Sequence, residues 1–162
     1  MDRLWTPWRY QYIKGETGEK TGDNGCVFCS LREVEDDERH FILHRARYNY
    51  IVLNLYPYIS GHLLIVPYEH TADLDAASDE TTGELMSLAK RCQTVLRDAY
   101  KPEGFNLGMN LGRSAGAGVA HHIHLHIMPR WTGDVNFMST VGETRVIPED
   151  LSTTYHKLRG KF

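Results

Sequence analysis

The chain has 162 residues, 41% of them apolar and 24% charged, with a formal net charge of −3. That length suits one domain, and the balance excludes a disordered, fibrous or membrane-spanning chain. The acidic sign argues against a general affinity for nucleic-acid backbones. Three cysteines, an odd number, argue against a disulfide framework, and Cys26-Val27-Phe28-Cys29 points to a metal-binding or redox pair in a reducing compartment. Residues 1–13 do not read as a signal peptide, and the apolar runs fall short of the ~20 residues a bilayer requires. A cytoplasmic protein is expected, with no membrane partner.

Residues 1–25 read as an N-terminal arm and loop. Trp5, Trp8, Tyr10 and Tyr12 are expected to pack on the body or on a second subunit, and the polar, glycine-rich stretch 14–25 forms a linker. Residues 26–162 read as one domain. His40–Leu43 and Tyr50–Asn54 are rich in β-branched and aromatic side chains and predict a hairpin. His62–Pro67 predicts a buried strand. Over 79–100, Leu85, Leu88, Ala89, Cys92, Val95, Leu96 and Ala99 make one apolar stripe at helical spacing. Asp79 and Glu80 suit the start of that helix, and Pro102 and Gly104 its end. Cys92 on the stripe reads as a buried small hydrophobe. Phe105–Leu111 predicts a strand, Gly112–Gly118 a loop and Ala120–Met128 a further strand closed by Pro129. A C-terminal helix is expected over 147–160, with Pro148, Glu149 and Asp150 in its first turn. Together these predict an α+β fold: an antiparallel sheet of about five strands with one long helix and a C-terminal helix.

Four of the nine histidines fall in residues 121–126. On a strand, His122, His124 and His126 share one face, ~6–7 Å apart, while Ile123, Leu125 and Ile127 face the core. Three imidazoles side by side repel one another when charged, so such a row costs stability unless it has a use. His121 is out of phase and reads as a loop residue. A His-x-His pair can bind metal, and a neutral imidazole can act as a nucleophile. A zinc finger is excluded by spacing, because residues 30 through 121, 92 in all, separate Cys29 from His122, against roughly 12–15 in a finger.

His122-Ile123-His124-Leu125-His126-Ile127-Met128, followed by Pro129-Arg130, resembles the His-φ-His-φ-His-φ-φ signature of the histidine-triad family. Asn54, the segment Gly61-His62-Leu63-Leu64-Ile65-Val66-Pro67-Tyr68-Glu69-His70 and the Cys26/Cys29 pair match further motifs of that family in order and spacing. The resemblance runs from about residue 26 to 131. The tail Trp131–Met138 is similar to a zinc-bearing bacterial branch that includes diadenosine tetraphosphate phosphorylases.

The resemblance implies that His124 attacks the α-phosphorus of a dinucleoside polyphosphate or similar nucleotide, forming a nucleotidyl-histidine that water or phosphate then resolves. It implies that His126 bonds a phosphate or bridging oxygen, with His122 completing the triad. Asn54 would hold the ribose, with Leu55 near the base and Phe28 either beside the base or in the core. Asn110, Ser114, Gly116 and Gly118 would line the phosphates. It also implies a closed structural zinc site of Cys26, Cys29, His70 and His122, no organic cofactor, and a homodimer. At Gly118 many family hydrolases carry glutamine, which points towards the phosphorylase-like branch. Two other functions fit the same residues: a non-catalytic nucleotide- or protein-binding module, and a hydrolase with one catalytic metal held by all three triad histidines.

Overall fold

The computed structural model describes residues 25–142, 144 and 147–162. The aromatic arm, with Trp5, Trp8, Tyr10 and Tyr12, lies outside the described residues. The elements in chain order are α1 (Val27–Glu33), β1 (Ile42–Arg45), β2 (Asn49–Leu53), β3 (Leu63–Pro67), α2 (Asp79–Tyr100), β4 (Gly104–Gly108), β5 (Leu125–Arg130), α3 (Phe137–Thr140) and α4 (Leu151–Leu158). The five strands form one antiparallel sheet in the order β1-β2-β3-β5-β4. This is the expected α+β architecture.

Alternation along the central strands sends apolar side chains to both faces. Ile51, Leu53, Leu63, Ile65, Leu125 and Ile127 pack against the stripe of α2 and against Tyr155 and Leu158 of α4. Tyr50, Val52, Leu64 and Val66 point the other way, where Cys26, Phe28 and Val119 cover them. The first face carries the large core, and the second carries the cavity described below. Cys92 is fully buried in the first face, and burial pushes its thiol up to about 12, so it is an inert core residue.

Helix α2 has the expected bounds. Ser78 Oγ caps it by accepting the Thr81 N–H at 3.2 Å. Its C-cap is Lys101 in the left-handed region, φ 48°, directly before Pro102. The C-terminal helix is shorter than 147–160. Asp150 accepts the Thr153 N–H at 2.8 Å as N-cap, so Pro148 and Glu149 precede the helix. Glu149 instead accepts from Tyr100 Oη and Thr154 Oγ1 and pairs with Lys157, which ties the C-terminus to the end of α2. Among the described residues, no helix is long and apolar enough to cross a membrane.

Candidate active site and thiol–imidazole cluster

The strand expected at Ala120–Met128 runs instead from Leu125 to Arg130. Strand β3 pairs with β5 only over Leu63–Ile65. Beyond that point Pro67 has no N–H to offer, and its carbonyl is taken at 2.9 Å by His122 Nε2. Ile123 N bonds Thr71 O instead of a ladder partner. The histidine run therefore leaves the sheet before Leu125, and its three triad imidazoles are buried, not displayed in a solvent-facing row. The far end of β5 tolerates Pro129 because its β3 partner has already ended and it pairs with Phe105 of β4.

His122 joins a cluster with Cys26, Cys29 and His70, whose ligand atoms all lie within 4.8 Å of one another. Cys29 Sγ is 3.1 Å from His70 Nδ1 and 3.6 Å from His122 Nδ1, and Cys26 Sγ is 3.4 Å from His122 Nδ1. Zn–S and Zn–N bonds of about 2.3 and 2.0 Å in a tetrahedron require S···N edges of about 3.5 Å. The donor set and spacing thus fit zinc. The Nε2–H of His122 donates to Pro67 O, so Nδ1 presents its lone pair to the thiols, the outer-shell arrangement usual for a ligating imidazole. Burial, then the hydrogen bond and charge of Cys26, push the Cys29 thiol up to about 11; a divalent cation would reverse this by sharing the thiolate charge. Burial, with further contributions from His70 and His124, holds His122 down at about 4 against the opposing Pro67 bond.

His124 and His126 turn away from the thiols. His124 Nδ1 donates to His122 O at 3.0 Å, which leaves Nε2 as a lone pair. Burial keeps this imidazole below its ordinary range despite that bond, so it is neutral near pH 7. A chain of bonds fixes the neighbouring tautomers. Tyr58 N–H donates to His62 Nδ1 at 3.2 Å, so His62 carries its proton on Nε2 and donates to His126 Nδ1 at 2.9 Å. His126 therefore holds its own proton on Nε2. Burial first, then His126 and His124, hold His62 down at about 3.

His124, His126 and Tyr58 border a cavity of about 270 Å³ between α1 and the sheet. Of the residues expected at the site, Asn54, Leu55, Asn110, Gly116, Gly118, His124 and His126 line it. Ser114 does not; it sits exposed in the 3-10 turn Arg113–Ala115. Asn110 Nδ2 donates to Gly116 O at 3.4 Å, and Gly112 and Gly116 take φ 79° and 84°, a turn that glycine makes without strain. Asn54 Oδ1 accepts Tyr56 N–H, and its Nδ2 lies 3.3 Å from His62 Nδ1. The Phe28 ring lies 4.9 Å from His124 and 5.4 Å from His122, on the cavity wall and against both imidazoles.

His62 and Tyr58 are functional candidates without an assigned part in the sequence reading. The signal for His62 is Gly61, whose φ is 75° and whose place a Cβ could take only at 3.2–3.3 Å from Leu96, Tyr100 and Pro129. That tight turn leads into His62, which reaches the cavity-lining His126. The Tyr58 ring stacks over His126, 6.1 Å between centroids. His121 is exposed beside His70, as expected of a loop residue.

The fold and this paired histidine site define a class, and comparison with known proteins names it. The HIT domain family matches residues 35–133, and the chain belongs to that family. It is 39% identical over 159 residues to an AP-4-A phosphorylase of Mycobacterium tuberculosis, covering 95% of this chain and 80% of that one. It is 34% identical to an adenosine 5'-monophosphoramidase of Saccharomyces cerevisiae, covering 68% of this chain and 65% of that one. A zinc-bound histidine triad family protein of Mycobacterium smegmatis superposes with a TM-score of 0.67 at 26% identity, covering 84% of this chain and 91% of that one.

Proposed function

We propose that this protein is a nucleotidyl hydrolase or transferase that cleaves a dinucleoside polyphosphate at its α-phosphorus through a nucleotidyl-His124 intermediate. The observation that carries this is the His124 Nδ1–His122 O bond, which leaves a neutral Nε2 lone pair at the cavity wall beside His126. Nε2 forms the new N–P bond as the bond from phosphorus to the bridging oxygen breaks. The imidazolium that results keeps its Nδ1–H on the His122 carbonyl, which stabilises the cation. His126 Nε2–H hydrogen-bonds the oxygen on which charge grows, with His62 holding it in that tautomer. Asn54 bonds the ribose, Leu55 and Phe28 flank the base, and Asn110 with Gly116 and Gly118 brings backbone and amide donors to the phosphates. Water then releases a mononucleotide, and inorganic phosphate releases a nucleoside diphosphate. The 39% identity to an AP-4-A phosphorylase over 95% of the chain supports phosphate as the acceptor.

We further propose that Cys26, Cys29, His70 and His122 hold zinc; four protein ligands leave no open position, so its contribution there is structural. It would fasten α1, and with it Phe28, to the segment that carries His124. The HIT domain is taken to span 26–162 behind the arm of 1–25, in a cytoplasmic homodimer, readings supported by the composition and the family. Sedimentation analysis tests the dimer.

The deciding experiment is product analysis of diadenosine tetraphosphate with and without inorganic phosphate. Adenosine diphosphate in the phosphate arm alone identifies a phosphorylase. Adenosine monophosphate in both arms identifies a hydrolase, and no product in either contradicts the enzyme reading. Nucleotide bound with micromolar affinity and without useful turnover would then favour a binding module.

A further inference from the structure

The reaction cavity has a second polar end. Towards one end of the sheet lie His126 of β5, opposite Leu64 of β3, then His62 just before β3, Asn54 just after β2, and Arg39-His40 just before β1. The Leu53 N–H bonds Phe41 O, which sets Arg39 and His40 beside Leu53–Leu55. Neighbouring strands are about 4.8 Å apart, so β1 lies about 14 Å from β5 with the ribose candidate Asn54 between them. A nucleotide with its α-phosphorus at His124 and its ribose at Asn54 therefore directs its base towards β1.

Arg39 and His40 both line the cavity. At the other end His124 Nδ1 bonds the His122 carbonyl, His126 Nδ1 accepts from His62, and Asn110 Nδ2 donates to Gly116 O. The Arg39 guanidinium makes no hydrogen bond or ion pair with any described residue, although Asp36, Asp37 and Glu38 precede it. Asp37 is held by Arg45, Glu38 by Arg159, and Asp36 accepts the backbone N–H of Arg39. Arg39 is exposed and not held by these carboxylates, and it shares this end of the cavity wall with the apolar Phe28, Leu31, Val34 and Val52 and with Ser30 and His40.

Among the described residues no carboxylate lines the cavity, and its two side-chain amides, Asn54 and Asn110, are placed at the ribose and the phosphates. The edge of guanine offers two acceptors, N7 and O6, which match the guanidinium fork; adenine offers N7 but presents a donor at N6. Building on the nucleotide reading above, we infer that Arg39 is a base-recognition residue that favours 6-oxopurine nucleotides, guanine above all, over adenine nucleotides relative to what the apolar slot alone would select.

The test uses the full chain. Dissociation constants of GMP and AMP are measured by titration calorimetry for the wild type, Arg39→Ala and Arg39→Lys, alongside kcat/KM for diguanosine and diadenosine tetraphosphates. Arg39→Ala is expected to weaken GMP roughly tenfold or more while AMP changes less than about twofold, and the kcat/KM ratio should move in parallel. Arg39→Lys, which lacks the fork, should recover only part of the difference. Equal weakening of both nucleotides would assign Arg39 to general phosphate attraction and overturn the inference, as would no change in either. Because the binding arm needs no turnover, an inactive wild type that still shows the GMP-selective loss would count against the enzyme reading alone.

Discussion

At His122 the imidazole turns Nδ1 to two thiols and Nε2 to the Pro67 carbonyl. At His124, two residues on, Nδ1 meets a carbonyl and Nε2 is left for the cavity. One residue type in one short run is thus set up for two chemistries, and the difference lies in which ring nitrogen the backbone occupies. In both cases a main-chain carbonyl fixes the tautomer. At His122 that turns Nδ1 to the thiols as a candidate ligand, and at His124 it leaves Nε2 as the proposed nucleophile. Phe28 touches both rings, so the two clusters share a wall while remaining chemically separate. The reading with a single metal at all three triad histidines does not fit this division, because only His122 lies among the thiols.

The largest effect that would break or uphold the comparison is on turnover. His124→Ala should lower kcat by roughly 10³-fold or more, with nucleotide binding and zinc content unchanged; retained activity would erase the distinction between the two imidazoles. Next comes Cys29→Ser, which should remove the zinc measured in the purified protein and lower the thermal midpoint by about 10 °C, while some turnover remains. His62→Gln comes third. It should lower kcat by about 10–100-fold with normal zinc content, since the His126 tautomer loses the group that fixes it.

The smallest effect is on stability against pH. His62 is held at about 3 in the folded state, against about 6.5 when unfolded. The unfolded chain therefore binds a proton that the folded one refuses between those values. Stability is intact above about 6.5 and falls as pH drops from there towards 3. His62→Gln should make the denaturant midpoint less steep over that window, by at most one proton's worth.

The sequence makes some of this plain and hides the rest for physical reasons. Helix α2 is readable to its first and last residue because its 22 residues carry one uninterrupted stripe. Helix α1 is not, because seven residues are two turns and too few to display a period. What holds α1 is the burial of Phe28 and Cys26 against the sheet, and Cys26 and Cys29 are brought to His70 and His122 by tertiary structure alone. The alternation of histidine with aliphatic residues reads as a strand through residue 120, yet pairing stops at Leu125. The cause lies in another segment, at Pro67, which cannot donate to a ladder. The part played by His62 is equally non-local, since its partner His126 is 64 residues away.

The central claim is that the nucleophile is His124 Nε2. The most direct measurement is intact-protein and peptide mass spectrometry after acid-free quenching of a single turnover with diadenosine tetraphosphate. A mass gain of one adenylyl group located on His124 is expected, absent from His124→Ala and still formed in His62→Gln. An adenylyl group on His122 or His126, or on a residue outside the triad, would contradict it.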